Sequence, residues 1–217
     1  MNYKKKFKNN YALWFIQKDL KLQPTSIEEK DWASNLSKLR KKEYLYSRGY
    51  LRKSLSELFN IDSLEIPLYA PPNKPPKLMN DLGYISISHC KNALLIGWSK
   101  EKIGVDLENN NRLFDYRNLQ KKYFYNSEKE LISKLNGQKL INELLSLWVL
   151  KESAIKWEEG SILKDLAKWK CCKGFVINTS TKRKLFSYSY GYKSWILGIV
   201  LSSRINTENP ITCVVEK

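Results

Sequence analysis

Residues 86–108 read S-I-S-H-C-K-N-A-L-L-I-G-W-S-K-E-K-I-G-V-D-L-E, and their alternation decides how the rest of the chain is read. Three short strands are predicted in and just before this stretch: Tyr84–Ser88, Ala93–Trp98 and Ile103–Leu107. A tight Ser-Lys-Glu-Lys turn joins the last two. In the third strand Asp106 and Glu108 stand two residues apart in an Ile-Gly-Val-Asp-Leu-Glu run. Successive side chains of a strand point to opposite faces, so both carboxylates share one side and Val105 and Leu107 share the other. Two acids on one face repel unless something positive joins them. A hard divalent cation suits that place, since Mg²⁺ commonly takes one or two protein carboxylates together with substrate phosphates.

A third acid comes from W-V-L-K-E-S-A-I-K, residues 148–156. At 100° per residue, Ile141, Leu144, Leu145, Trp148, Val149 and Ile155 form the apolar face of a helix. Glu152 falls inside that arc, with Lys156 one turn on and Lys151 at the other edge. An ionised carboxylate on the apolar side of a helix is costly unless it is paired or bound to a metal. An ordinary Glu152–Lys156 (i, i+4) pair on an exposed helix is the alternative.

Working outward, an apolar strand is predicted near Ala12–Ile16 and one long helix over 26–59, with Ser26 and Glu29 as its capping box. The Pro-rich segment 67–77 reads as an extended loop exposing Lys74 and Lys77. Helices are predicted at about 112–122, 127–135 and 138–157, then strands at Gly174–Ile177, Leu185–Tyr190 and Ser194–Leu201. Helices followed by antiparallel strands thus occur twice. The fold class expected is α+β, two pseudo-symmetric halves over 1–102 and 103–217, with a cleft between them as the ligand site.

The 217 residues suffice for a real core, and 27 of them are Trp, Tyr or Phe (7, 13 and 7). Charge is the outlier, 38 basic against 22 acidic residues, net +16. Such a balance speaks to anionic partners and not to fold. A basic nucleic-acid-binding module is the alternative function. It lacks any helix-turn-helix, zinc-finger or RNP-like motif, and acids at 106, 108 and 152 oppose a polyanion groove there. The four cysteines form no C-x-x-C pair, and with a single histidine they build no standard zinc site. They read as reduced thiols of a cytoplasmic protein. No apolar stretch is long enough to span a bilayer.

The motifs S-I-S-H (86–89), I-G-V-D-L-E (103–108), F-Y-N-S-E (124–128) and W-V-L-K-E-S-A-I-K (148–156) resemble, in order and spacing, those of the surfactin-type 4′-phosphopantetheinyl transferases. S-R-G-Y-L-R (47–52) and N-K-P (73–75) extend the resemblance over 37–165. It implies an enzyme that moves the phosphopantetheine arm of coenzyme A onto a serine of an apo acyl or peptidyl carrier protein. Adenosine 3′,5′-bisphosphate is released. It implies Mg²⁺ on Asp106, Glu108 and Glu152, and coenzyme A held by Arg48, Lys74, Ser88, His89 and Lys156. Glu152 and Lys156 would be catalytic, and a monomer with coenzyme A between its two halves is expected. Here Glu159-Gly160-Ser161 replaces the family's Gly-Lys-Gly, and Cys90 stands where a small serine or threonine is usual. Lys38, Arg40, Lys41 and Lys42 have no one-to-one match. Glu128 would be at most a supporting carboxylate, and Arg48 is favoured over Arg52. A Ser88/His89/Asp106 hydrolase triad is disfavoured, because neighbours on a strand face opposite ways and no nucleophile-elbow glycines surround Ser88.

Overall fold

The structure, a computed structural model, describes residues 10–17, 21–90, 92–111, 116–205 and 211–215. Strand β1 (Tyr11–Gln17) is apolar at six consecutive positions because both its faces are covered. Ala12, Trp14 and Ile16 face one core, Tyr11, Leu13 and Phe15 another. The helix predicted over 26–59 is two helices, α1 (Ile27–Ser34) and α2 (Lys38–Phe59). Ser34, Asn35 and Ser37 compete for backbone hydrogen bonds and break the run. The Ser26–Glu29 capping box is present: Ser26 Oγ accepts from Glu29 N–H at 3.3 Å, and Glu29 Oε2 accepts from Ser26 N–H at 2.9 Å.

The proline segment is not wholly loop, since β2 (Leu68–Tyr69) and β3 (Lys77–Leu78) pair across it. The strands β4 (Tyr84–Cys90), β5 (Ala93–Ser99) and β6 (Ile103–Asn109) match the expected ones within two residues. Helices α3 (Tyr116–Tyr123), α4 (Asn126–Ser133) and α5 (Gly137–Glu158) follow. The first residues of the helix expected from 112 lie outside the described residues. After the one-turn α6 (Ile162–Asp165) come β7 (Trp169–Cys172), β8 (Phe175–Asn178), β9 (Lys184–Tyr192), β10 (Trp195–Leu201) and β11 (Cys213–Val215). Strands β7 and β11 have no counterpart among the predicted elements. Among the described residues no helix is long and apolar enough to cross a membrane.

The topology repeats. A strand, helices including one of 22 residues, a hairpin and a second hairpin occur as β1-α1-α2-β2-β3-β4-β5 and again as β6-α3-α4-α5-α6-β7-β8-β9-β10, where α3 and the one-turn α6 have no counterpart in the first series. The first sheet runs β11-β1-β5-β4 and the second β6-β10-β9-β8-β7, antiparallel except where β11 lies parallel to β1. The fold is therefore mixed α+β, as expected. The sheets pack face to face through Leu13, Phe15 and Leu95 on one side and Val105, Leu107 and Leu197 on the other. Helices α2 and α5 cover the outer faces.

Each copy also carries one buried ion pair at the same place. Glu29, of the α1 capping box, takes Arg52 Nε at 2.8 Å. Glu128, three residues into α4, takes Lys151 Nζ at 3.0 Å. Arg52 and Lys151 are each the fifteenth residue of their 22-residue helices. Arg52 and Glu128 are thus framework residues. Lys151, expected at the edge of the apolar face, is fully buried and also donates to Trp169 O.

All four cysteines are free thiols. Burial pushes the Cys171 thiol far above its ordinary range, against the weaker opposing pull of Lys151. The thiolate is the reactive form. Cys171 is expected to resist alkylation in the native protein and to label only on unfolding, which mass spectrometry of iodoacetamide-treated protein would read. Native-state labelling at the rate of a free peptide thiol would contradict this burial.

Candidate functional site

The second sheet brings its acids to the first at one edge. On β6, Gly104, Asp106 and Glu108 face α5, and α5 comes unusually close because Gly104 and Gly198 have no side chain. A Cβ on Gly104 would lie 1.8 Å from Ser153 O, and one on Gly198 2.5 Å from Val149 O. That approach sets Glu152 and Lys156 of α5 beside the β6 acids.

Strand β4 meets β6 from the other sheet. Ser86, Ser88 and Cys90 share one face of β4, and each reaches β6. Ser86 Oγ accepts from Val105 N–H at 3.1 Å, Ser88 Oγ donates to Asp106 Oδ1 at 2.7 Å, and Cys90 Sγ lies 3.7 Å from Glu108 Oε2. Lys156 Nζ donates to the same Asp106 Oδ1 at 2.7 Å. Asp106 is 3% exposed, yet among the described residues its Oδ2 has no hydrogen-bond partner. A buried carboxylate oxygen left without a partner marks a place where strain or a ligand is to be sought. Ser88 bonds Asp106 directly, with no imidazole between them, which is not the geometry of a hydrolase triad.

A cavity of about 380 Å³ opens here. Ser88, His89, Asp106, Glu108, Glu152 and Lys156 line it on one side, and Arg40, Tyr44 and Arg48 of α2 on the other. Arg48 is buried, donates from Nε to Ala70 O at 2.9 Å, and sits 4.7 Å from the Tyr44 ring centre. Burial lowers the Arg48 pKa, and the same burial raises that of Tyr44. A second cavity of about 620 Å³ adjoins the first, with Ile87 and Lys156 in the walls of both. Lys74, Lys77, Lys100, Lys102 and Trp157 line the second.

Of the residues singled out in the sequence, Arg48, Ser88, His89, Asp106, Glu108, Glu152 and Lys156 meet in the first cavity, and Lys74 lines the second. Glu152 is half-buried. Arg40, which has no one-to-one counterpart in the resemblance, also lines the first cavity, its Nη2 donating to Asn73 Oδ1 at 2.6 Å. A signal for it exists: Arg40, Tyr44, Ser47 and Arg48 recur at helical spacing, so they share a face. Asn73 of the N-K-P motif has φ 62°, in the left-handed region that asparagine tolerates better than most residues. That conformation turns its amide toward Arg40.

The acids are hard oxygen donors, and Asp106 Oδ2 is uncommitted, which suits a divalent cation in kind. Among the described residues, no three His, Cys, Asp or Glu side chains form a ready-made metal centre. Mg²⁺ does not require one, because it usually completes its shell with water and phosphate oxygens.

Residues 102–205, a little under half of the chain, match the family model of the 4′-phosphopantetheinyl transferase superfamily. The matched stretch holds Asp106, Glu108, Glu152 and Lys156. Among curated proteins there is no match to the chain.

Proposed function

We propose that the protein is a 4′-phosphopantetheinyl transferase that moves the phosphopantetheine arm of coenzyme A to a serine of an apo acyl or peptidyl carrier protein. One observation carries this reading. A buried aspartate shared by a serine and a lysine, with two further carboxylates, opens into a cavity walled by Arg40, Arg48 and His89. The aspartate, the two further carboxylates and the lysine fall within the matched residues, and the serine, the arginines and the histidine precede them. The halves 1–102 and 103–217 carry the two repeat units, with β11 at the end of the second half returning to the first sheet, and coenzyme A lies between them.

The reaction forms a bond from the carrier serine oxygen to the phosphorus bearing the pantetheine arm and breaks that phosphorus's bond to the bridging oxygen. Adenosine 3′,5′-bisphosphate leaves, and the serine proton must be taken up. Phosphoryl transfer asks a protein for positioning and charge neutralisation more than for covalent help. Lys156 stands at the junction of the two cavities, where a pyrophosphate bridging them would lie. Arg48, Ser88, His89 and Lys74 hold phosphates on either side. Glu152 is the carboxylate placed to accept the serine proton. Asp106, Glu108 and Glu152 would hold Mg²⁺, which supplies charge neutralisation at the pyrophosphate when bound.

The test is incubation of the protein with coenzyme A, Mg²⁺ and an apo carrier protein, followed by the carrier's intact mass. One phosphopantetheine added, and none in excess EDTA, is the expected result. An unmodified carrier across several carrier classes would defeat the proposal. His89→Ala and Lys74→Ala are each expected to weaken coenzyme A by about 1.5–3 kcal/mol, since each removes a charge-assisted phosphate contact. Calorimetric titration would check this, and unchanged affinity in both variants would count against the assignment.

A further inference from the structure

Strand β4 passes from one cavity to the other. Ile87, Ser88 and His89 line the first, and Tyr84, Ile85, Ser86 and Ile87 line the second. The second cavity therefore follows the seam of β4 and β6 away from Asp106. Trp157 of α5 stands in its wall, and so do Lys100 and Lys102 of the turn that enters β6. Lys102 precedes Asp106 by four residues, about 13 Å of extended chain. Its carbonyl accepts from Trp157 Nε1 at 2.9 Å, and its Nζ lies 5.5 Å from the Trp157 ring centre. The indole thus fixes this lysine at the end of the cavity remote from Asp106.

Five lysines and two acids line this cavity. Lys156 is committed to Asp106 at 2.7 Å and Lys77 to Glu159 at 3.6 Å. Lys74 serves a phosphate in the transferase reading. Lys100 and Lys102 remain against Asp81 alone, and among the described residues neither enters an ion pair. Coenzyme A itself offers them no charge, because past the pyrophosphate its arm is neutral, running through hydroxyl and amide groups to the thiol. From ester oxygen to sulfur the arm is four three-bond units, which extend roughly 13–14 Å. An arm that starts at the pyrophosphate beside Lys156 and Asp106 therefore brings its sulfur to the level of Lys102.

We infer that the second cavity takes the arm with an anionic acyl group on its sulfur, so that the preferred donor is the coenzyme A thioester of a dicarboxylic acid. The inference rests on the transferase reading above. The free carboxylate of such a thioester would meet Lys100 and Lys102, a charge-assisted contact. Ile85, Ile103 and Trp157 would pack on the arm's methyl and methylene groups. The thioester is untouched by the transfer. The carrier serine oxygen still bonds the same phosphorus, adenosine 3′,5′-bisphosphate still leaves, and the carrier receives an arm already acylated.

The test uses the full chain with Mg²⁺, an apo acyl carrier protein and one donor at a time. The donors are coenzyme A, malonyl-coenzyme A and isovaleryl-coenzyme A, whose acyl group matches malonyl in shape without its charge. The carrier's intact mass identifies the arm transferred, and initial rates give kcat/KM for each donor. Malonyl is expected to exceed isovaleryl by about tenfold or more, the scale of one charge-assisted contact. In Lys100→Gln/Lys102→Gln that preference should vanish, with kcat/KM for coenzyme A unchanged. Equal use of the two thioesters by the wild type, or a preference that survives the double substitution, would overturn the inference and leave the transferase reading standing. So would transfer from coenzyme A but from neither thioester. A matching loss with coenzyme A in the variant would also overturn it, assigning the two lysines to the phosphates. A wild-type protein that modifies no carrier with any donor would defeat the transferase reading, and this inference with it.

Discussion

Replacing Asp106 with asparagine is expected to lower the rate of phosphopantetheine transfer by at least two to three orders of magnitude, the scale seen when one electrostatic stabiliser is removed from an active site. Asp106 Oδ1 receives both Ser88 and Lys156, at 2.7 Å each. The substitution keeps the shape but removes the charge that fixes Lys156 between the two cavities, and it puts an amide where the uncommitted Oδ2 stands. Stability should change little. The Lys156 side chain is 27% exposed, so water can take over from the lost partner. Single-turnover rates and a melting curve on the same sample check both halves of the expectation. Near-wild-type turnover in Asp106→Asn would remove Asp106 from the chemistry.

Lys151→Ala should do the reverse. Lys151 and Glu128 are 0% and 1% exposed, and Glu128 Oε1 also accepts the Cys171 N–H at 2.6 Å. Removing one partner of a buried pair strands the other charge, which costs about 3–5 kcal/mol. Denaturant unfolding should therefore show a large loss of stability. A double substitution, Glu128→Leu with Lys151→Met, should recover much of it, because a buried pair stabilises little over an apolar pair of similar size. If the single variant unfolds at the wild-type denaturant midpoint, the pair does not bear on the fold as described.

Those two cases also show what a sequence discloses. Asp106 and Glu108 were legible because strand alternation fixes which side chains share a face, and Glu152 because a charge inside an apolar helical arc is anomalous. The expected strands around them came within two residues of those observed. Lys151 was not legible. It lies at the edge of the arc, and only the approach of α4 and β7 encloses it, which no local pattern reports. The break between α1 and α2 was present in Ser34-Asn35-Leu36-Ser37 but outweighed by helical spacing on both sides. Strand β11 pairs with β1 across nearly the whole chain length, and β7 is four residues of mixed character. Neither has a periodicity to read. Arg40 needed the helical face it shares with Tyr44 and Arg48 to be seen as one surface.

The repeated topology has a stoichiometric consequence. Strands β1 and β6 are both seven residues long, and Trp14 and Ile16 hold in β1 the places that Asp106 and Glu108 hold in β6. Trp14 and Ile16 are core residues packed with those of α2, such as Leu51 and Leu55. One copy of the doubled unit has spent these positions on hydrophobic packing, and the other has kept them for carboxylates. The internal two-fold design therefore presents this pair of carboxylates in one of its two copies. Titration with coenzyme A should saturate at one molecule per chain, with a single class of affinity and no cooperativity, and equilibrium dialysis would count it.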